Sequence, residues 1–193
     1  MNYPDVLEFW FLQLNPTDWF KKDEILDLRM VEKFIAIHAQ AVSGELFRWR
    51  DDPLGRLAEI ILIDQFSRNI YRDDPKAFIS DPMALVLSQE AIYGNHHKSF
   101  DNNHKIFLYL PFMHSESKSI HQIAVKLFSE PGLEESLAYE NEHKKIIDRF
   151  GRYPERNKIL GRTNTPEEEY YLLNKPAEKR PPPITPAEGQ PLH

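Results

Sequence analysis

Apolar residues recur at spacings of three and four along most of positions 1–174, the pattern of amphipathic helices. Val6, Leu7, Trp10, Phe11 and Leu14 share one face of a first helix. Leu28, Val31, Ile35, His38 and Val42 mark the expected buried face of a second, running from about Asp23 to Val42 with Gly44 as its stop. Asp52-Pro53 and Asp81-Pro82 predict two more helix starts, because aspartate can cap free amides and proline's fixed φ suits a first turn. Further helices are expected over 101–110 before Pro111, 115–129 before Pro131, 134–150 before Gly151, and 166–174. Thr165 and Glu168 form a capping box at the last of these. No stretch alternates with period two between hairpin turns, so no sheet is predicted. The pattern therefore specifies an all-α fold of seven or eight helices, as a closed bundle or a stack of antiparallel helix pairs. From Lys175 to His193 the apolar period gives way to a proline-rich run. The expected organisation is one helical domain over 1–174 and an extended or disordered tail over 175–193.

Composition narrows the function. The chain has 193 residues, 41% of them hydrophobic and 28% charged, which suits one globular domain. A net charge of −6 argues against broad binding to nucleic acid or anionic membranes. With no cysteine, disulfides, thiolate catalysis and iron–sulfur clusters are excluded. Met1 to Leu14 lacks a basic leader, and no apolar run approaches the roughly 18 residues of a membrane-spanning helix. A cytoplasmic location with no membrane insertion is the expectation.

Several polar residues interrupt the apolar faces. The helix opened by Pro53 carries Leu57, Ile60, Ile61 and Ile63 and then Asp64, Gln65, Arg68 and Asn69. Asp64 and Arg68 are spaced to pair at i, i+4, either as a structural ion pair or as part of a site. His114 and Glu116 stand at a helix junction beside free amides, where they could form an acid–base pair, although Ser115 as a plain N-cap is the simpler reading. His143 lies on the apolar stripe Tyr139, Ile146, Ile147 and Phe150. With His114 and Glu116 it would make a set of metal ligands, but no diagnostic ligand spacing is present and no metal is assigned. Positions 143–162 hold seven basic side chains against two acidic ones. Among them, Arg152 and Arg156 in the turn ending at Asn157 can converge on an anion. No interleaved aromatics suggest base stacking.

Phe9-Trp10-Phe11, Trp19-Phe20, Asp64-Gln65-Phe66-Ser67-Arg68-Asn69-Ile70, His114-Ser115-Glu116, Phe150 to Asn157 and Leu160-Gly161-Arg162-Thr163 together resemble the bacterial domain-of-unknown-function family numbered 924. The resemblance runs from the first helix to about Leu173. It implies an all-α fold similar to the tetratricopeptide-like superfamily, with antiparallel helix pairs in a right-handed arrangement, and no established activity. The family's polar motifs fall here on Asp64, Gln65, Arg68, Asn69, His114, Glu116, Arg152, Arg156 and Asn157. Ser67 stands where proline is common and Glu155 where histidine is common, which weakens any proton transfer at position 155.

The leading functional expectation is an inter-helix pocket in which Arg68, Arg152 and Arg156 bind a carboxylate or phosphate, with Gln65, Asn69 and Asn157 lining it. Asp64 would orient the guanidinium groups, and His114 with Glu116 would supply acid–base chemistry. The alternative is a tetratricopeptide-like scaffold that holds a peptide or partner protein. No cofactor motif is identified, and no reaction is assigned.

Overall fold

In the computed structural model, which describes residues 1–175, α1 (Tyr3–Glu8) runs directly into a π turn (Phe9–Gln13). Asp23 accepts hydrogen bonds from the Ile25 and Leu26 amides to open α2 (Glu24–Val42). Asp52 does the same through Leu54 for α3 (Pro53–Ile61). A second π turn (Leu62–Phe66) carries α3 into α4 (Ser67–Ile70) as one continuous rod. A single helical turn, α5 (Lys76–Ile79), precedes α6 (Asp81–Tyr93). Then follow α7 (Asn102–Met113), α8 (Lys118–Phe128), α9 (Glu134–Phe150) and α10 (Pro166–Asn174), the last opened by the capping box of Thr165 and Glu168. With α1 and α3 continued through their π turns, there are eight helices and the short turn α5 among the described residues, and no strand.

The rod from α3 to α4 is the centre of the molecule. Leu57, Ile60, Ile61, Leu62, Ile63 and Phe66 have no solvent exposure. Packing against the rod are α1, α2, α6 and α7, while α7, α8 and α9 pack in succession beyond it. Where α1, α2 and α7 meet the rod, aromatic rings interlock. Phe34 lies 4.9 Å from Phe66, and Trp10 5.3 Å from Phe66 and 5.4 Å from Phe107, between ring centroids. Such tilted and edge-on pairs suit the ring quadrupoles.

Three sequence-based expectations are revised. The buried face of α2 is Leu26, Met30, Phe34, Ile37, His38 and Ala41, whereas Leu28, Ile35 and Val42 face outward. This helix is apolar on two faces, and the larger Met30 and Phe34 fill the space beside the rod. Helix α7 does not stop before Pro111 but reaches Met113, because proline in a last turn removes one N–H while His114 N still bonds the Leu110 carbonyl at 2.9 Å. Asp81 opens α6 without capping it, and its carboxylate turns elsewhere. Apart from Lys175, the stretch expected as a tail lies outside the described residues. No helix among the described residues is long and apolar enough to cross a membrane.

His38 links α2 to the rod. Ser67 Oγ gives its hydrogen to the Ile63 carbonyl (2.6 Å) and so accepts from His38 Nε2 (2.7 Å). Nδ1 is buried without a partner, and burial pushes the imidazole down to about 4 from its ordinary 6.5. The unfolded chain therefore binds a proton here that the folded one does not. Stability from this residue is complete above pH 6.5 and is lost as pH falls towards about 4. His38→Gln keeps a donor for Ser67 but does not titrate. Urea unfolding at a series of pH values should show a shallower acid loss in this variant than in the wild type, and equal losses would reject the assignment.

Candidate functional site

The π turn at Leu62–Phe66 adds a residue to the rod where it meets α6 and α7, and such turns recur at functional sites. It holds Asp64 at 1% exposure. The carboxylate accepts hydrogen bonds from Gln65 Nε2 (2.5 Å) and His114 Nδ1 (2.8 Å). Arg68 Nη1 stands 3.2 Å from Asp64 Oδ1, so the i, i+4 pair is present, and it also donates to the Asp64 carbonyl (2.6 Å). Burial alone would raise the Asp64 carboxyl, but the Arg68 charge and the hydrogen bonds from His114 and Gln65 outweigh it and hold the group well below the usual carboxylate range.

The cluster extends outward from Arg68. Its guanidinium meets both oxygens of Asp81, each at 3.0 Å. Arg156 Nη1 reaches Asp81 Oδ2 (3.2 Å) and Nη2 donates to the His114 carbonyl (3.0 Å). Both guanidinium groups lie over the Phe78 ring, 5.7 Å from its centroid for Arg68 and 4.8 Å for Arg156. Among the described residues neither Nε has an acceptor. The side chains of Arg68, Asp81, His114 and Arg156 keep between 13% and 20% of their exposure, so the cluster reaches solvent.

His114 engages one ring nitrogen and leaves the other without a partner among the described residues. Its bond to an ionised carboxylate places the hydrogen on Nδ1, which leaves a lone pair on Nε2 with no partner among the described residues. Burial, then the nearby Arg68 charge, push its pKa down against the opposing pull of Asp64. The ring is thus neutral at neutral pH and can accept a proton. Burial and the adjacent Arg68 also lower Arg156, which makes it the least compensated cation of the group.

Asp64, Gln65, Arg68, His114 and Arg156 therefore meet, and the other expected residues do not join them. Glu116 is not the partner of His114. It takes two hydrogen bonds from Arg162 (2.6 and 2.9 Å) and one from the Tyr153 amide (2.8 Å). Arg152 grips Glu168 (2.7 and 2.8 Å) and the Thr163 carbonyl (2.9 Å), on the side where α10 docks. Asn69, a residue further round the helix than Arg68, turns to Asp27 (2.8 Å), which Arg72 also holds. Asn157 is fully buried and ties Asn164 to Arg162, each at 2.8 Å. His143 Nδ1 donates to the Tyr139 carbonyl (2.8 Å). Among the described residues no group of three possible ligands is disposed to hold a metal ion.

Asp81, Tyr153, Arg162, His121 and Glu140 are not among the site residues expected from the sequence. Three successive carbonyls around His114 are held by side chains. Tyr153 Oη donates to Met113 (2.5 Å), Arg156 to His114 itself, and His121 Nε2 to Ser115 (2.8 Å). His121 Nδ1 in turn bonds Glu140 Oε1 (2.7 Å), with both side chains fully buried. Glu140 lies seven residues from both Leu133 and Ile147, which are buried on the same face. That spacing was the available signal.

The two arginine clamps have separable effects. Arg152→Ala leaves Glu168, 2% exposed, short of its donors and should cost about 1–3 kcal/mol. Amide exchange should quicken over 166–174 while the His114 ring resonances stay in place. Arg162→Ala releases Glu116 and the Tyr153 segment instead, and should shift those resonances. Identical patterns for the two variants would contradict the division.

Residues 6–176 match the family model described as "Bacterial protein of unknown function (DUF924)". A solved protein of unknown function from Agrobacterium tumefaciens, ATU0120, is similar at 37% identity and a TM-score of 0.83, over 88% of this chain and 96% of that one. No curated protein matches the chain. A match over most of the chain, joined to this likeness in sequence and fold, shows that the protein belongs to the DUF924 family of bacterial proteins.

Proposed function

We propose that this protein, in the cytoplasm, binds a small carboxylate- or phosphate-bearing ligand at the cluster of Asp64, Arg68, Asp81, His114 and Arg156, and that His114 exchanges a proton with it. One observation carries this reading: His114 shares Asp64 Oδ1 with Arg68 and gives its carbonyl to Arg156, while among the described residues its Nε2 has no partner and the N–H donors of both guanidinium groups are not all used. Arg68 and Arg156 attract the anion, and Arg156 is the less compensated of the two. Asp64 fixes the His114 tautomer, as a carboxylate does behind a general base, and Gln65 steadies Asp64. Glu116, Arg152 and Asn157 serve at one remove, by holding the segments that carry His114 and Arg156. Asn69 lies outside the site.

Acetate and inorganic phosphate are suitable probes, read through the His114 ring signals by NMR. Both should perturb them, and Arg156→Ala should weaken the response by about tenfold, or ~1.4 kcal/mol. An unchanged response in that variant would falsify the reading. In the free protein His114 should titrate below its ordinary 6.5. Asp64→Asn removes the charge that favours the imidazolium, so the titration should move lower still, and an upward move would count against the pair. Native mass spectrometry of the purified protein should show a small anionic ligand that is lost in Arg156→Ala.

A second reading is supported by the outward face of α2. Ile25, Leu28, Ile35 and Val42 are apolar and exposed there, Ile25 by 75% and Leu28 by 65%. A tetratricopeptide-like scaffold of right-handed helix pairs would offer such a face to a peptide or partner protein. On that reading a copurifying partner should be lost when Leu28 and Ile35 are changed to Glu, with the acetate response intact.

A further inference from the structure

Asp81 behaves unlike the other aspartates at helix starts. Asp23, Asp52 and Asp101 each accept a hydrogen bond from a backbone amide of the helix they open. Among the described residues Asp81, the first residue of α6, accepts only guanidinium hydrogens, and Ser80 before it supplies no side-chain cap. Asp81 stands one position inside α6, past the N-cap place that Asp23, Asp52 and Asp101 take in their helices, and its carboxylate lies across Arg68 and Arg156. Its geometry is that of a ligand carboxylate on a guanidinium fork. Both oxygens meet Arg68 at 3.0 Å, and Oδ2 is shared with Arg156 at 3.2 Å.

The segment that brings Asp81 there is short and anchored in the core by Ala77. It leaves α4 through Asp73, whose φ of 63° is in the left-handed region, and contains the single turn α5 with Ile79 66% exposed. The same segment places Phe78 on both guanidinium groups. Its backbone hydrogen bonds are local, from Asp74 to Tyr71, Ala77 to Asp74 and Phe78 to Pro75, and a piece held to itself in this way can open locally.

Charge balance then selects the ligand. Arg68 and Arg156 offset Asp64 and Asp81, with His114 neutral. Replacing the Asp81 carboxylate by another monoanionic carboxylate preserves that balance beside a buried Asp64. A dianionic phosphate leaves an excess negative charge unless His114 takes up a proton. We infer that Asp81 is an internal occupant of a carboxylate site, and that a ligand carboxylate docks on Arg68 and Arg156 by displacing it as segment 74–81 lifts. This inference rests on the anion-site reading above and adds to it the ligand class and the group that competes for the site.

Asp81→Ala empties the fork. If Asp81 occupies it in nine molecules of ten, acetate should bind the variant about tenfold more tightly than the wild type, because the competent fraction rises by that factor. Acetate should also raise the thermal midpoint of the variant more than that of the wild type, and adding Arg156→Ala should remove both effects. Should Asp81→Ala not fold, Asp81→Asn is measured in the same way. Acetate binding no tighter without the aspartate overturns the inference. If that binding is nevertheless lost with Arg156→Ala, the anion site itself stands. No acetate response in any form overturns both. Inorganic phosphate should gain less than acetate at neutral pH, and an equal gain overturns the assignment of a carboxylate.

Discussion

Asp64 sits in the middle of the central rod at 1% exposure, and an ion so placed must be met by opposite charge and hydrogen-bond donors or else take up a proton. Much of the molecule's polar architecture follows from meeting that requirement. Gln65 and Arg68 come from the rod itself, and His114 from the end of α7. Arg68 then needs a second carboxylate, which α6 supplies as Asp81, and Asp81 draws Arg156 from beyond α9. One buried charge thus ties segments more than 70 positions apart into a single network. Its members are coupled, so removing any one changes the field at all the others.

The arginines in the last turn of α9 and after it divide the remaining work. Arg149 and Arg152 hold α10 through Glu167 and Glu168, Arg156 enters the cluster, and Arg162 clamps Glu116. A stretch with a strong basic excess in the sequence is therefore no free positive surface, because carboxylates from other segments meet these arginines. On the proposed function, the attraction of an anion is then local. It depends on unused donors of Arg68 and Arg156 and on the poor compensation of Arg156, which burial and Arg68 both disfavour.

Rigid support surrounds His114. The carbonyls before, at and after it are each held by a side chain, and its Nδ1 is held by Asp64. Behind Ser115 stands the fully buried pair of His121 and Glu140, which presses α8 and α9 into the same task. On the proposed function, a ring fixed in this way loses little freedom when a ligand arrives.

The all-α class, the helix count and most helix boundaries were legible in the chain because they depend on local rules. These are apolar spacings of three and four, aspartate caps before α2 and α3, and the Thr165–Glu168 box before α10. The pairing of Asp64 with Arg68 was legible for the same reason, since four residues make about one turn. The buried face of α2 was not, because a helix apolar on two sides leaves the choice to its neighbours. Nor was the partner of His114. Glu116 is two residues away and Asp64 fifty, yet a side chain bonds what the packing of helices sets opposite it. Arg152 and Arg156 look equivalent in sequence, and only the turn between them sends one to α10 and the other to Asp81. Local chemistry in the sequence determined the helices and named most of the charged residues at the centre. Tertiary structure decided which charges meet, because the energy of an ion pair depends on distance and burial, and neither is a property of spacing along the chain.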